Sequence, residues 1–155
     1  MIKFSPVFAL LLMPVLGVAQ IIKLDVNGVE ITASKSEVLR RLGKPVSSRI
    51  GGIVPCSDGS TRRTIHYPGL VLRLEANAEG RDFGVYEIDV TSPKWLISGL
   101  RIGTQKRNVI KKFGNGRVLK ENGRSYLAYF IEDGYASFHF KKSKLVKVSW
   151  EFNFC

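Results

Sequence analysis

Two histidines and two cysteines are the residues through which this chain could carry out nucleophilic or metal chemistry. His66 and His139 lie inside alternating stretches and do not form a pair at a metal-binding spacing. Cys56 is followed directly by a serine and an aspartate, but no neighbouring base could activate it. The composition of this stretch is typical of a turn. A Cys56–His66 nucleophile pair across a hairpin stays open, although a disulfide would consume it. We therefore expect no catalytic residue, no metal site and no cofactor.

Cys56 and Cys155 are the only cysteines, and in an oxidising compartment an even pair is most simply a disulfide. Closing a loop of about 100 residues would stabilise the fold by up to about 4.7 kcal/mol if chain entropy alone is counted. Two reactive thiols are the alternative, but no basic residue or histidine adjoins either cysteine. The sequence favours a Cys56–Cys155 bond.

The N-terminal stretch MIKFSPVFALLLMPVLGVAQ has the features of an export signal. Lys3 gives it a positive start, an apolar run follows, and the sequence Gly-Val-Ala ends at Ala19 as signal peptidase requires. The apolar run is shorter than the roughly 20 residues that cross a bilayer, which disfavours the alternative of a membrane anchor. We predict a signal peptide over residues 1–19 and a periplasmic or secreted domain over residues 20–155. Loss of Lys3 lowers the net charge only from +11 to +10.

The stretch GTQKRNVIKKFGNG, residues 103–116, is unusually basic. Its candidate anion-binding residues are Lys106, Arg107, Lys111 and Lys112. The cations that follow in the same half of the chain are Arg117, Lys120, Arg124, Lys141, Lys142, Lys144 and Lys147, whereas its acids from Gly103 onward are Glu121, Glu132, Asp133 and Glu151. This basic half of the chain should attract phosphate or carboxylate groups, or an acidic protein. The alternative is that the surface charge serves only to keep the protein soluble. Nucleic acid is disfavoured as a partner because the protein leaves the cytoplasm.

This basic stretch has a counterpart earlier in the chain. ITASKSEVLRRLG, residues 31–43, agrees with IGTQKRNVIKKFG, residues 102–114, in identity or character at eight of thirteen positions, which indicates an internal repeat. Each copy predicts a short amphipathic helix that ends at a glycine. Ser34 and Glu37 form a capping box in the first copy, and Thr104 caps the second. The basic residues fall outside the apolar arc, so a solvated helix face is the simpler interpretation of their charge.

Three alternating segments follow each predicted helix. They are TRRTIHYP, LVLRLEA and VYEIDVT after the first helix, and RSYLAYFIE, YASFHFK and KLVKVSWEF after the second. Alternation between turn residues predicts antiparallel strands with one buried face. The predicted fold class is α+β. It consists of two tandem helix-plus-antiparallel-sheet repeats, about 20–92 and 93–155, in a single domain with the helices packed on one face of the sheet.

The motif S-x-x-E-V-x-x-x-L-G-x-P in SKSEVLRRLGKP, residues 34–45, and its looser copy QKRNVIKKFGNG, residues 105–116, resemble two groups of exported bacterial proteins. These are the β-lactamase-inhibitor-protein (BLIP-like) fold and the small SmpA/OmlA-type lipoproteins of outer-membrane assembly. The resemblance implies tandem helix-plus-sheet repeats whose sheets hold a protein partner while the helices cover the other side. The chain departs from the lipoproteins because no cysteine follows its apolar leader.

The strand pattern also predicts which side chains could face a partner. With Leu127, Tyr129 and Ile131 turned to the core, Tyr126 and Phe130 point the other way. The candidate partner-binding residues are Tyr126, Phe130, Arg73, His139 and Lys147. Aromatic and arginine side chains on an otherwise polar face are typical of binding anchors. The alternative is that loops or a second sheet cover Tyr126 and Phe130.

Together these features favour an exported protein-binding module, such as an inhibitor or immunity factor acting on an envelope or secreted protein. A binder of anionic cell-envelope polymer, either lipopolysaccharide or cell wall, is the alternative. An enzyme of unrecognised type is the third hypothesis, and no transmembrane segment is expected after processing.

Expressed with its leader in a bacterium, the protein is expected outside the cytoplasm with Gln20 as its first residue, because signal peptidase cuts after small-x-small sequences. Intact-mass spectrometry of the periplasmic and medium fractions checks this. A variant that lacks residues 2–19 is the control and should stay in the cytosol. Recovery of the uncleaved chain in the cytosolic fraction would contradict the prediction.

Overall fold

Two short helices and eight β-strands make up the part of the chain that the structure describes. The computed structural model describes residues 20–54, 60–76, 83–132 and 134–152. The helices are α1 (Lys35–Leu42) and α2 (Lys106–Phe113). The strands are β1 (Ser47–Ile53), β2 (Thr61–Tyr67), β3 (Leu70–Ala76), β4 (Phe83–Val90), β5 (Arg117–Glu121), β6 (Arg124–Ile131), β7 (Gly134–Lys141) and β8 (Lys144–Phe152). Within these residues no helix has the length and apolar composition needed to cross a bilayer.

Both predicted helices are present, and their starts follow from local sequence. At α1 the Ser34 side chain accepts a hydrogen bond from the Glu37 backbone N–H at 3.2 Å, which is the predicted cap. At α2 the cap position is Gln105 rather than the predicted Thr104. The Thr104 hydroxyl instead accepts a hydrogen bond from the Arg101 backbone N–H at 3.3 Å. Thr104 therefore closes the turn before the helix and not the helix itself.

Each helix ends at a glycine with a left-handed backbone. The φ angle is 78° at Gly43 and 79° at Gly114, a conformation that glycine adopts without the steric cost of a Cβ atom. The last turn of each helix carries two basic residues, which are Lys111 and Lys112 in α2. Positive charge at a helix C-terminus is favourable because the last carbonyl groups are partly negative.

All eight strands form one antiparallel sheet in the order β1-β2-β3-β4-β8-β7-β6-β5. The predicted fold class, two tandem helix-plus-antiparallel-sheet repeats, is therefore wrong. β4 pairs with β8 from Glu87 opposite Glu151 to Val90 opposite Val148, so the strands that follow the two helices belong to one continuous sheet. Alternation identifies a strand but does not say which neighbour it pairs with, because both edges of a strand offer the same backbone groups.

The sequence pattern does not predict β1 and β5, which are the two edge strands of the sheet. β1 contains two adjacent glycines, and Ile50 and Ile53 are exposed, so no buried alternation marks it. β5 lies within the basic region, and Val118 is exposed. An edge strand has only one neighbour to pack against, which weakens its hydrophobic pattern.

The opposite faces of this sheet differ sharply. One face carries a single hydrophobic core, to which α1 contributes Val38 and α2 contributes Val109 and Phe113. The segments before α1 and before α2 add the buried residues Ile22, Leu24, Val26, Val29, Trp95 and Ile97. The cover of the core therefore consists of the two helices and two connecting segments.

Because the strands form one sheet, a cavity on either side of the β4–β8 junction should destabilise all of it. Leu72 in β3 and Phe138 in β7 are fully buried. Leu72→Ala and Phe138→Ala should each lower the free energy of unfolding by about 2–5 kcal/mol. Calorimetry should show a single transition in both variants, shifted to lower temperature. Val46→Ala, at a site 75% exposed, is the control and should stay within about 0.5 kcal/mol of the parent chain. Two separate transitions would contradict a single cooperative sheet.

Candidate binding face of the sheet

The face of the sheet opposite the core, called the open face below, brings together the polar and aromatic side chains of five neighbouring strands. Within the described ranges, no helix or further strand packs over it. Its central residues are Val71, Arg73 and Glu75 in β3, Glu87 and Asp89 in β4, Lys147, Ser149 and Glu151 in β8, Tyr135, Ser137 and His139 in β7, and Tyr126, Ala128 and Phe130 in β6. All five predicted partner-binding residues lie on this face.

Asp89 lies near the centre of the open face and accepts contacts from three side chains. Arg73 Nη1 is 2.9 Å from Asp89 Oδ2 and 2.5 Å from Glu87 Oε1. Lys147 Nζ is 3.0 Å from Asp89 Oδ1, and the Ser149 hydroxyl donates to the same oxygen. The Asp89 side chain is only 16% exposed, so solvent screens these contacts less than it screens surface ion pairs. The network spans β3, β4 and β8 and therefore crosses the β4–β8 junction.

The two acids of this network have pKa values shifted in opposite directions. Burial favours a higher pKa for Asp89, but hydrogen bonds from Ser149, Arg73 and Lys147 outweigh it and hold the pKa below its usual range. Burial raises the pKa of Glu87, and the positive charge of Arg73 only partly opposes this shift. Asp89 is therefore the acid whose ionised form this network favours, and it contacts both Arg73 and Lys147.

Aromatic rings occupy the part of the open face on β6 and β7. The Tyr126 ring stacks on the His139 ring with 5.0 Å between centroids and 26° between planes. Phe130 lies directly opposite Tyr135, and their side chains are 48% and 43% exposed. A hydrogen bond to Glu151 raises the pKa of Tyr135 to about 12, so its hydroxyl stays protonated at neutral pH. Exposed rings thus adjoin the charged network around Asp89.

The predicted core positions Leu127, Tyr129 and Ile131 are confirmed, since all three are buried. Sequence analysis did not single out Glu87 or Asp89, although the signal was present. In VYEIDVT the apolar Ile88 and Val90 predict core positions, which leaves both acids on the other face. Arg73 and Lys147 were predicted to lie on this face, but their contacts with the two acids could not be predicted because those contacts depend on strand pairing.

The four predicted anion-binding residues lie on α2, on the core side of the sheet and away from the open face. Lys106 Nζ lies 5.7 Å from the centre of the Phe140 ring, and Lys112 Nζ lies 5.7 Å from the centre of the Phe113 ring. The side chains of the other two are exposed. Contact with an aromatic ring gives Lys106 and Lys112 a structural role that needs no bound ligand.

The remaining predictions concern His66 and the cysteines. His66 is exposed on β2, on the same side of the sheet as the open face. Cys56 and Cys155 lie outside the described residues, as does the leader, so the disulfide and the Cys56–His66 pair stay predictions. Among the described residues, histidine, cysteine and acidic side chains form no group of three or more that could hold a metal ion.

Comparison with known proteins assigns no family to this chain. No protein-family model matches the sequence, and no curated protein matches it. A solved structure of an extracellular protein containing a SCP domain from Bacillus anthracis is similar, with a TM-score of 0.48 and 18% identity. The similarity covers 80% of this chain and 44% of that protein, so the chain spans less than half of the neighbour's length.

The pKa shift of Asp89 predicts an acid-dependent loss of stability. Its pKa is lower in the folded chain, so its contribution is complete well above the unfolded value of 3.8 and is lost as the pH falls through the folded value. At neutral pH, Asp89→Asn should lower the free energy of unfolding by about 1–3 kcal/mol, because Arg73 and Lys147 lose a charged acceptor. Denaturant unfolding at neutral and strongly acidic pH measures whether this difference shrinks in acid.

Glu87→Gln is the matched control for this test. The pKa of Glu87 is raised on folding, so its ionised form is the disfavoured one and its neutralisation should reduce stability less than Asp89→Asn at neutral pH. A loss of stability in Asp89→Asn that is equal at all pH values would show that the charge of Asp89 has no part in the network.

Proposed function

We propose that the protein is an exported, non-catalytic module that binds another protein of the envelope or the extracellular medium through its open face. The observation that carries this proposal is the grouping of exposed Phe130 and the Tyr126–His139 stack beside the charged network around Asp89. Apolar rings within a polar surround are the composition of binding anchors and their rim. An inhibitor or immunity factor needs such a face and needs no reactive group.

Preorganisation of the charged side chains further supports this function. Arg73 and Lys147 are both held by Asp89, so they would lose less conformational freedom when a partner binds. The Lys147 side chain is 43% exposed and keeps ammonium protons for a further acceptor. A face prepared in this way favours association with a partner of complementary charge.

Binding of an anionic envelope polymer is the second candidate function, and the α2 cations favour it. None of Lys106, Arg107, Lys111 and Lys112 forms an ion pair within the described ranges. Unpaired cations on one helix attract phosphate- or carboxylate-rich polymers by their summed field. This binding would use the core side of the sheet and would leave the open face free.

The experiment that tests the first function is affinity capture with the mature chain as bait. Extracts of the envelope and the culture supernatant of the source organism are passed over wild-type and variant baits, and bound material is identified by mass spectrometry. A protein retained by the wild-type chain is then purified, and its dissociation constant is measured for each variant.

Tyr126→Ala and Phe130→Ala should each weaken partner binding by about 1–4 kcal/mol, because aromatic anchors dominate interface energetics. The paired change Lys111→Ala and Lys112→Ala is the control, and it should alter mainly the association rate and its salt dependence. Melting curves confirm that each variant is folded.

The reverse order of effects would support the polymer instead. In that case the double lysine change should dominate, and binding should fall steeply with added salt by screening. Equal and negligible effects of both sets would contradict both functions.

A further inference from the structure

A basic pocket of about 520 Å³ lies at the end of the sheet where β6 begins, β7 ends and β8 begins. Three cationic side chains line it, Arg124, Lys141 and Lys147, together with the His139 ring and Ser125. None of its described lining residues is an aspartate or a glutamate. The pocket therefore offers positive charge and hydrogen-bond donors to an anion.

Strand register explains why these cations converge. His139 lies directly opposite Tyr126 on β6 and directly opposite Lys147 on β8. Arg124 is two residues before Tyr126, and Lys141 is two residues after His139, so alternation places both on the same face. The pocket thus continues the open face toward the turns that connect β5 to β6 and β7 to β8.

A β-bulge adds an apolar contact to this pocket. The register of β7 and β8 shifts after His139, so Phe140 lies opposite Leu145 and Val146 is the extra residue of β8. Val146 is 40% exposed and lines the pocket. Bulges redirect side chains and are frequent beside functional sites.

Two of the three cations have an acidic neighbour. Asp89 Oδ1 lies 3.0 Å from Lys147 Nζ, and Glu121 lies directly opposite Arg124 across β5 and β6. Asp89 offsets the charge of Lys147, whereas no ion pair joins Glu121 to Arg124 within the described residues, so Arg124 keeps its donors for a ligand.

Lys141 has the opposite environment. It lies directly opposite Lys144 on β8, and like charges in that position destabilise a sheet. Within the described part of the chain, no carboxylate forms an ion pair with Lys141. Arg124 and Lys141 therefore both keep their charge for a ligand. Glu121 opposite Arg124 repels a multiply charged phosphate chain more than it repels a single carboxylate, which favours the carboxylate.

The His139 ring provides polar contacts to this pocket without a fixed charge. Burial and the nearby charge of Lys147 lower the pKa of His139, and the opposing effects of Glu121 and Asp89 are smaller. Tyr126 is the other titratable group that faces the ring. The imidazole is thus neutral at neutral pH and would gain a proton more readily if an anion bound beside it.

We infer that this pocket accepts one aspartate or glutamate side chain of the protein partner, with Arg124 and Lys141 binding the carboxylate and Val146 contacting an adjacent apolar group. The inference rests on the proposed protein-binding function and adds the chemistry of the group that the partner presents. The planar guanidinium of Arg124 can donate two parallel hydrogen bonds to a carboxylate, and the ammonium of Lys141 adds a second positive charge.

Two capped pentapeptides, AEFEA and AQFQA, test this inference on the mature chain. NMR of the histidine rings at neutral pH should show saturable shifts of the His139 signals with AEFEA and none with AQFQA. The pKa of His139 should rise in the AEFEA complex, since a bound carboxylate favours the imidazolium form. His66 is the internal control, because it lies on β2, remote from the pocket, and its signals should not move. Equal binding of both peptides would overturn the inference.

Variants and a second anion sharpen the test. Arg124→Gln with Lys141→Gln should weaken AEFEA binding at least tenfold, because the carboxylate loses charge-assisted contacts. A tenfold change in the dissociation constant corresponds to about 1.4 kcal/mol. Lys111→Gln with Lys112→Gln, which removes the same charge from α2, should leave AEFEA binding unchanged. Unchanged binding in the first pair would overturn the inference. Tripolyphosphate that produces the same His139 shifts at lower concentration than AEFEA would show a phosphate site instead.

The outcome can be separated from that of the proposed function. The peptide titration uses no natural partner. A failure of AEFEA to bind would therefore contradict the carboxylate pocket without affecting the test with the Tyr126 and Phe130 variants. If AEFEA binds while Tyr126→Ala and Phe130→Ala leave partner binding unchanged, the carboxylate pocket is supported. The proposal that the partner binds the aromatic part of the open face is then contradicted.

Discussion

The antiparallel pairing of β4 with β8 is the contact on which the rest of this structure depends. On the core side it brings Ile88 and Val90 beside Trp150 and Val148, and none of these side chains is more than 1% exposed. Burial of their apolar surface stabilises the junction and completes the backbone hydrogen bonds of two strands that would otherwise be sheet edges. The single core under β2, β3, β4, β6, β7 and β8 follows from this junction.

The same junction determines the composition of the open face. Because successive side chains of a strand point to opposite faces, burial of Ile88 and Val90 places Asp89 on the other side, beside Ser149. Arg73 from β3 and Lys147 from β8 then reach Asp89 from its two sides. Partly exposed ion pairs of this kind contribute modestly to stability, but they hold cationic donors in fixed positions where a partner could meet them.

Basic residues occur in two different settings in this protein. Lys111 and Lys112 lie in the last turn of α2, where the helix dipole favours positive charge. Lys106, in the first turn, and Lys112 each lie close to an aromatic ring. Lys141, in contrast, faces Lys144 across a strand pair, where two like charges repel each other. The net charge of +11 therefore combines cations in different environments. The cations that have no stabilising contact within the chain are the better candidates for binding an anion.

The sequence by itself determined the local features of this protein. Apolar spacing identified both helices, and the Ser34 cap identified the start of α1. Alternation in β6 separated buried Leu127 and Tyr129 from Tyr126 on the opposite face. These features depend on residues close together in the chain. Only the tertiary structure decided that the strands form one sheet, that Asp89 gathers its cations, and that a pocket forms at one end. Those outcomes depend on strand pairing between distant residues, and the backbone groups that make such pairs are the same in every strand.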